Sequence, residues 1–281
     1  MARLLRSTST NLAATEAHVK GALHAHTTFS DGEFSLEELR RAYVQLGYRF
    51  VCLSDHAEYF DEARIAQYRA EIERLSDDSF CFVPGLEYEC PERMHILGLG
   101  TTALLGTRDP QEVIRAIERE GGVSIIAHPR TRDFTRIESL AFPPAGIEAW
   151  NSKYDGRYAP RTETFDLVRR MRERHPDLRA YYGQDLHFRH QYMGLHVEID
   201  SSELDAPSIV SRLRQGRYIA RSGDVTLTAA GGLDPSLARR FAQVHRRSRQ
   251  MGSLAKKTKY VLDALGLQIP VALKSQLRRL F

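Results

Sequence analysis

The stretch LHAHTTFSDG, residues 23–32, sets His24 and His26 one residue apart and follows the second histidine with Asp31 five positions later. Side chains two apart on a strand share a face, so both imidazoles of an H-x-H pair can reach one cation. An isolated pair of this kind is more often structural than metal-binding. This one has company. SDH supplies His56, GLEYE supplies Glu87, MHILGLG supplies His95, IAHP supplies His128, and GQDLH supplies Asp185 and His187 with the same two-residue step. Six histidines and three carboxylates result, a donor set suited to divalent transition metals.

The elements that must position them alternate. Strands are expected at VKGALHA, RFVCLSD, SFCFVPGLEYE, RMHILGLG, VSIIAHP, GIEAWN, RAYYGQD and GLHVEID. Helices are expected over Ser35 to Gly47, Glu62 to Leu75, Pro110 to Glu120, Glu163 to Arg174 and Ala206 to Gln215. Ser35 with Glu38 three residues on reads as a capping box, and Asp109 before Pro110 as a cap with proline in the first turn. Alternation of this kind argues for an α/β barrel or parallel sheet. His24, Asp55, Glu87, His128 and Asp185 all fall at or near C-terminal strand ends, where an α/β barrel gathers its active-site side chains.

The chain has 281 residues, 42% of them hydrophobic, enough for one large domain with a sizeable core. Its net charge of +4 averages two unlike parts. Residues 235–281 carry eleven Lys or Arg against the single acid Asp263, leaving 29 basic and 35 acidic residues in 1–234. Cys52, Cys81 and Cys90 form no C-x-x-C pair, which suggests neither a disulfide framework nor a zinc knuckle. No apolar run reaches transmembrane length, and the Arg- and Ser-containing start reads as a frayed arm more than as a transit peptide. A cytoplasmic location is expected.

HAHTTFSDG, LSDH, GLEYEC with HILGLG, IAHP and GQDLH, in that order over about residues 20–230, resemble the PHP family, named for polymerase and histidinol phosphatase. Each motif is short; the set is specific. The resemblance implies a distorted seven-stranded (β/α) barrel with a trinuclear metal centre that hydrolyses phosphate esters. It further implies that His24, His26, Glu87 and Asp185 hold one metal, that Glu87 bridges to a second held by His95 and His128, and that Asp31, His56 and His187 hold the third. Three divalent ions are expected, manganese, iron or zinc, in mixed occupancy if need be; the carboxylate at Asp31, histidine in some relatives, favours manganese or iron over zinc. Glu89 shares a strand face with Glu87 and is a competing ligand candidate, with the G-x-E match favouring Glu87. Asp55 is expected to orient a ligand, and His18, His175, His190, His196 and His245 lie outside the motifs.

Such a centre suits a phosphate monoester, because metals can supply hydroxide near neutral pH and neutralise phosphoryl and leaving-group oxygens. Neither a G-x-S-x-G nor a Walker loop is present, consistent with a mechanism that needs no nucleophilic side chain. Arg130, Lys153 and Arg189 follow strand-end motifs and are candidate phosphate contacts, Arg130 before the others; Asp55 and Arg130 are the catalytic candidates beside the ligands. Only 32 residues separate His95 from His128, so an open site is expected.

The expected layout is an arm over 1–19, the metallohydrolase barrel over 20–234, and a basic helical extension over 235–281. In the extension Leu237, Phe241, Val244 and Met251 follow helical spacing, with arginines on the other faces. It is read first as a helix packed on the barrel, then as a peripheral contact with an anionic membrane, then as a nucleic-acid contact. The expected activity is hydrolysis of a small phosphomonoester by metal-activated hydroxide. The alternatives are a nucleotide or oligonucleotide-end phosphoesterase, an amidohydrolase, which the SDH and AHP motifs fit poorly, and a non-catalytic metal-binding module that docks through the tail.

Overall fold

Short runs of β-branched and aromatic residues form the strands, and their burial shows which are covered on both faces. The computed structural model describes residues 18–201 and 203–247. Residues 1–17 of the expected arm and 248–281 of the extension, Met251 included, lie outside the described residues. The first sheet has the order β12-β11-β10-β1-β2-β4 and the second β3-β5-β6-β7-β8-β9. In chain order the strands are β1 His18–Ala25, β2 Phe50–Leu53, β3 Asp55–His56, β4 Cys81–Val83, β5 Gly85–Cys90, β6 Met94–Leu99, β7 Val123–Ala127, β8 Gly146–Asn151, β9 Arg179–Gly183, β10 His196–Asp200, β11 Tyr218–Ser222 and β12 Val225–Thr228. The helices are α1 Leu36–Gln45, α2 Glu62–Leu75, α3 Pro110–Arg119, α4 Phe134–Glu138, α5 Thr162–Arg174 and α6 Ala206–Gln215, with a further helical stretch over 235–247.

Central strands such as FVCL in β2 and VSIIA in β7 are buried throughout, as expected where helices cover a sheet. The expected capping box forms: Ser35 Oγ accepts from Glu38 N while Ser35 N donates to Glu38 Oε2. Asp109 likewise caps α3, accepting from Gln111 N and Glu112 N. Helix α3 packs on β6 and β7, so the segment between His95 and His128 adds no separate cap.

Pairing departs from a simple parallel array. Strand β6 is antiparallel to both β5 and β7, and β10 is antiparallel to β1. The sequence reading also stops short of β11 and β12. Their signal is present in the sequence: alternating apolar residues flank a two-residue turn, Gly223–Asp224, with Ser222 paired to Val225 and Gly223 at φ +58°.

The two sheets share chain segments. Strands β2 and β3 are one path broken at Ser54, and β4 and β5 one path broken at Pro84; the two paths pair in both sheets. At the other side the end of β1 bonds to the chain after β9, with Gln184 N donating to Leu23 O, Leu186 N to His24 O and His26 N to Leu186 O, at 2.9, 3.1 and 2.9 Å. That zipper sets the HAH and DLH motifs side by side.

Helical residues 235–247 bury Phe241 against Trp150, with ring centres 6.2 Å apart, and half-bury Leu237 and Val244. No helix among the described residues is long and apolar enough to cross a membrane.

Candidate metal centre

The nine side chains singled out in the sequence converge. They fall into four overlapping groups, His26–Asp31–His56–His187, His24–Glu87–His128, His24–His26–Asp185 and His56–Glu87–His95, whose donor atoms lie within 4.8 Å of one another. Glu87 is central. Its Oε1 lies 2.7 Å from His95 Nδ1 and 3.0 Å from His128 Nε2, while Oε2 lies 3.4, 3.2 and 3.7 Å from nitrogens of His24, His26 and His56. A carboxylate shared in this way has one oxygen for each of two cations. Glu89 is not its rival in space, because that carboxylate pairs outward with Arg108 at 2.8 Å.

Strand alternation alone does not produce the convergence. The β1–β2 register shifts between Ala22 and Ala25, and His24 adopts φ +64° inside that shift. His128 and Asp185, at the ends of β7 and β9, also have left-handed backbone, at φ +29° and +51°. Such geometry costs on the order of 1–3 kcal/mol per non-glycine residue and persists where the surroundings over-determine it. Gly32 and Gly183 make room: a Cβ at Gly32 would stand 2.4 Å from the His26 carbonyl oxygen, and one at Gly183 would stand 1.9 Å from Glu148 Oε1.

Glu148, which sequence reasoning missed, backs the centre. It is buried, its Oε1 accepts from His24 Nδ1 at 2.9 Å, and its Oε2 accepts from His128 N and Asn151 Nδ2 at 2.8 and 2.9 Å. Holding Nδ1–H this way leaves His24 Nε2 as the free donor atom facing Glu87 and Asp185. Asn151 also donates to Asp185 Oδ2 at 3.0 Å. The clue in the sequence was one acid within the apolar run GIEAWN.

The other candidates sort by contact. Asp55 is buried and turned into the loop after β1, accepting from Thr27 N, Thr27 Oγ1 and Ser30 Oγ, which fixes the stretch that carries Asp31. Arg130 is turned towards Asp133 and the Arg93 carbonyl. Arg189 is held by Glu38 and the Glu33 carbonyl. Lys153 Nζ reaches the cluster, 3.1 Å from Asp185 Oδ1.

Charge in the cluster is strongly coupled. Burial alone would raise Glu87, but His24, His128 and His26 hold its carboxyl well below the usual carboxylate range. Asp185 is depressed in the same way against burial, chiefly by His24 and His187. Burial would lower His187, yet hydrogen bonds to Asp185 and Asp31 push it up to about 9. Burial dominates at His56 and lowers it. One further observation tests the fit to a metal: both ring nitrogens of His26 and Nδ1 of His56 are buried without a hydrogen-bond partner. Such atoms are costly to leave unsatisfied, and a cation among these donors would satisfy them. The residues present fit divalent ions.

No family model matches the sequence. A solved two-domain protein from Bacteroides vulgatus ATCC 8482, described as containing a predicted PHP-like metal-dependent phosphoesterase, aligns with a TM-score of 0.51 and 16% identity over 81% of this chain and 70% of that one. The chain has a PHP-like fold. At that identity the likeness carries the fold, and the chemistry rests on the residues above. A 79-residue stretch is 34% identical to the DNA polymerase/3'-5' exonuclease PolX of Bacillus subtilis (strain 168), matching 25% of this chain and 14% of that protein. The match therefore spans about one seventh of that relative's length. An amidohydrolase from Chromobacterium violaceum aligns at a TM-score of 0.45 and 17% identity over 73% of this chain and 98% of its own, too distant to bear on the argument.

Proposed function

We propose that the chain is a metal-dependent phosphoesterase acting on a small phosphomonoester, with the nine clustered side chains as ligands of three divalent ions. The observation that carries this reading is the Glu87 carboxylate, buried and flanked by His95 and His128 on one oxygen and His24 and His26 on the other. The ring of chain segments β1, β2/β3, β4/β5, β6, β7, β8 and β9, joined by the pairings above and by the bonds from β1 to residues 184–186, supports reading the scaffold as a distorted seven-stranded barrel with β10–β12 appended.

Ions held there would activate water near neutral pH and neutralise charge on the phosphoryl and leaving-group oxygens. The chain's own residues prepare the rest. Glu148 fixes the His24 tautomer and the His128 backbone, Asn151 ties Glu148 to Asp185, and Asp55 holds the loop that presents Asp31. The side chain of Asp31 is 38% exposed, so substrate would approach from that side. The test is a phosphate-release screen of protein loaded with manganese, iron or zinc over sugar phosphates, nucleotides, short oligonucleotides and phosphotyrosyl peptide. Turnover on a phosphomonoester is expected; bound metal with no phosphate released from any ester would end the reading.

A second substrate reading, an oligonucleotide or nucleotide end, has its own support. Exposed aromatic rings stand beside three of the histidines: Tyr154 with its centre 4.9 Å from His128, Phe188 6.1 Å from His187 and Tyr59 6.3 Å from His56. Rings at the mouth of a site can stack on a base. The same screen separates the two, since a base-stacking site prefers nucleotide substrates and Tyr154→Ala would remove that preference.

The basic extension is proposed as a contact for an anionic membrane surface, supported by exposed Arg239, Arg246 and Arg247 on the described part of the helix. Deleting residues 235–281 should weaken binding to anionic vesicles; unchanged binding would remove this role.

A further inference from the structure

Lys153 is the one basic side chain, among the three that the sequence marked as phosphate contacts, whose cation touches the candidate centre. Its Nζ lies 3.1 Å from Asp185 Oδ1 and 3.1 and 3.2 Å from the two ring nitrogens of His187. The other two are engaged elsewhere, Arg130 by Asp133 and Arg189 by Glu38.

The turn that presents Lys153 is fixed. Asn151 Oδ1 accepts from the backbone N–H of Lys153 and Tyr154, each at 3.1 Å, and Asp155 Oδ2 accepts from Asn151 N at 3.1 Å. Arg161 pairs with Asp155, and Trp150 Nε1 donates to Gly156 O, closing the turn on its far side. The backbone is thereby held while the four-carbon stem keeps its rotational freedom. Its side chain is 23% exposed, so the ammonium has an open direction to move into, with the Tyr154 ring 5.2 Å away.

An ammonium and a divalent ion cannot share Asp185 and His187. Ligation brings an ion to about 2.0–2.2 Å from carboxylate oxygen or imidazole nitrogen, which leaves it a few ångströms from an ammonium that is bonded to Asp185 and lies against the His187 ring. Repulsion at that range in a half-buried site is severe. With ions bound, the ammonium must turn away on its stem. The next anion within its reach is the one the ions themselves attract.

We propose that Lys153 is the protein's own cationic contact to the substrate phosphoryl group: in the metal-loaded protein its ammonium leaves Asp185 and His187 and donates to a non-bridging phosphate oxygen. The assignment rests on the phosphoesterase reading of the same site. It also makes Lys153 a competitor of the ions for Asp185 and His187, so its removal strengthens metal binding while weakening phosphate binding.

The test uses the full chain loaded with manganese, titrated calorimetrically with inorganic phosphate, and separately the metal-free chain titrated with manganese. Lys153→Met should weaken phosphate affinity about tenfold or more, raise KM for a phosphomonoester in step, and bind manganese more tightly than wild type. Arg108→Met removes an exposed cation that pairs with Glu89, and should leave all three quantities within about twofold. Lys153→Arg keeps the charge and should retain phosphate binding better than Lys153→Met. The inference is overturned if Lys153→Met binds phosphate as wild type does, if Arg108→Met weakens it equally, or if Lys153→Arg is as weak as Lys153→Met. Should loaded wild type bind no phosphate and hydrolyse no ester, the phosphoesterase reading falls too; should wild type do both while Lys153→Met matches it, only the role of Lys153 falls.

Discussion

The inner and outer parts of the nine-residue cluster are built differently. The inner part, His24, His26, Glu87, His95, His128 and Asp185, is carried within or just beyond β1, β5, β6, β7 and β9, and Glu148 and Asn151 support it from behind. The Glu87 side chain is 1% exposed, that of Asp31 in the outer part 38%. Asp31 stands on a loop anchored through Asp55, and its partners His56 and His187 lie 3.7 and 3.2 Å away. Buried carboxylates and imidazoles must be paired or ligated, so the inner part tolerates little change. The outer part can lose a member and keep the remainder in place.

The comparison would break first at its strongest point. Replacing His24 and His26 together by alanine should reduce turnover by more than about a thousandfold, since several kcal/mol of charge stabilisation disappear, and should lower bound metal by elemental analysis. Wild-type activity in that variant would remove both from the mechanism. Asp31→Ala should cost less, with about one equivalent of metal lost and the rest retained; loss of all metal would show that the two parts do not differ as described.

Smaller effects sharpen it. Glu148→Gln keeps the shape but accepts more weakly from His24 Nδ1, so metal affinity should fall about 10- to 100-fold in a chelator-competition titration. Unaltered affinity would make Glu148 merely structural. In the metal-free protein the imidazole of His187, with an ordinary value of 6.5 raised to about 9 by Asp185 and Asp31, contributes stability that is fully present below about pH 6.5 and lost as pH rises through about 9. Thermal melts of metal-free protein should fall across that window, and His187→Gln should flatten the decline. Ser30→Ala, which deletes one bond to Asp55 at 2.7 Å, should cost only about 1 kcal/mol in stability.

Legibility followed how local each signal was. The caps at Ser35 and Asp109 and the helix bounds Glu62–Leu75 and Ala206–Gln215 follow from residues two to four apart, and local sequence suffices for them. The β11–β12 hairpin had a local signal too, in Gly223–Asp224, and was passed over. Glu148 had almost none. An acid in an apolar strand says that it needs a partner, but His24 lies 124 positions away. Arg130 and Lys153 look alike in sequence, each just beyond a strand end, and only packing turns one towards Asp133 and the other towards Asp185.

By itself the amino-acid sequence determined the chemistry available: which donors exist, at what spacing, and on strands whose period of two pairs them. Tertiary structure alone decided that they meet, through the bonds between the end of β1 and residues 184–186, the register shift that turns His24, and the left-handed backbone at His128 and Asp185. The physical reason is that convergence is a property of contacts between distant segments. Those contacts depend on sheet pairing and core packing across the chain, while the propensities readable in a sequence act over only a few residues.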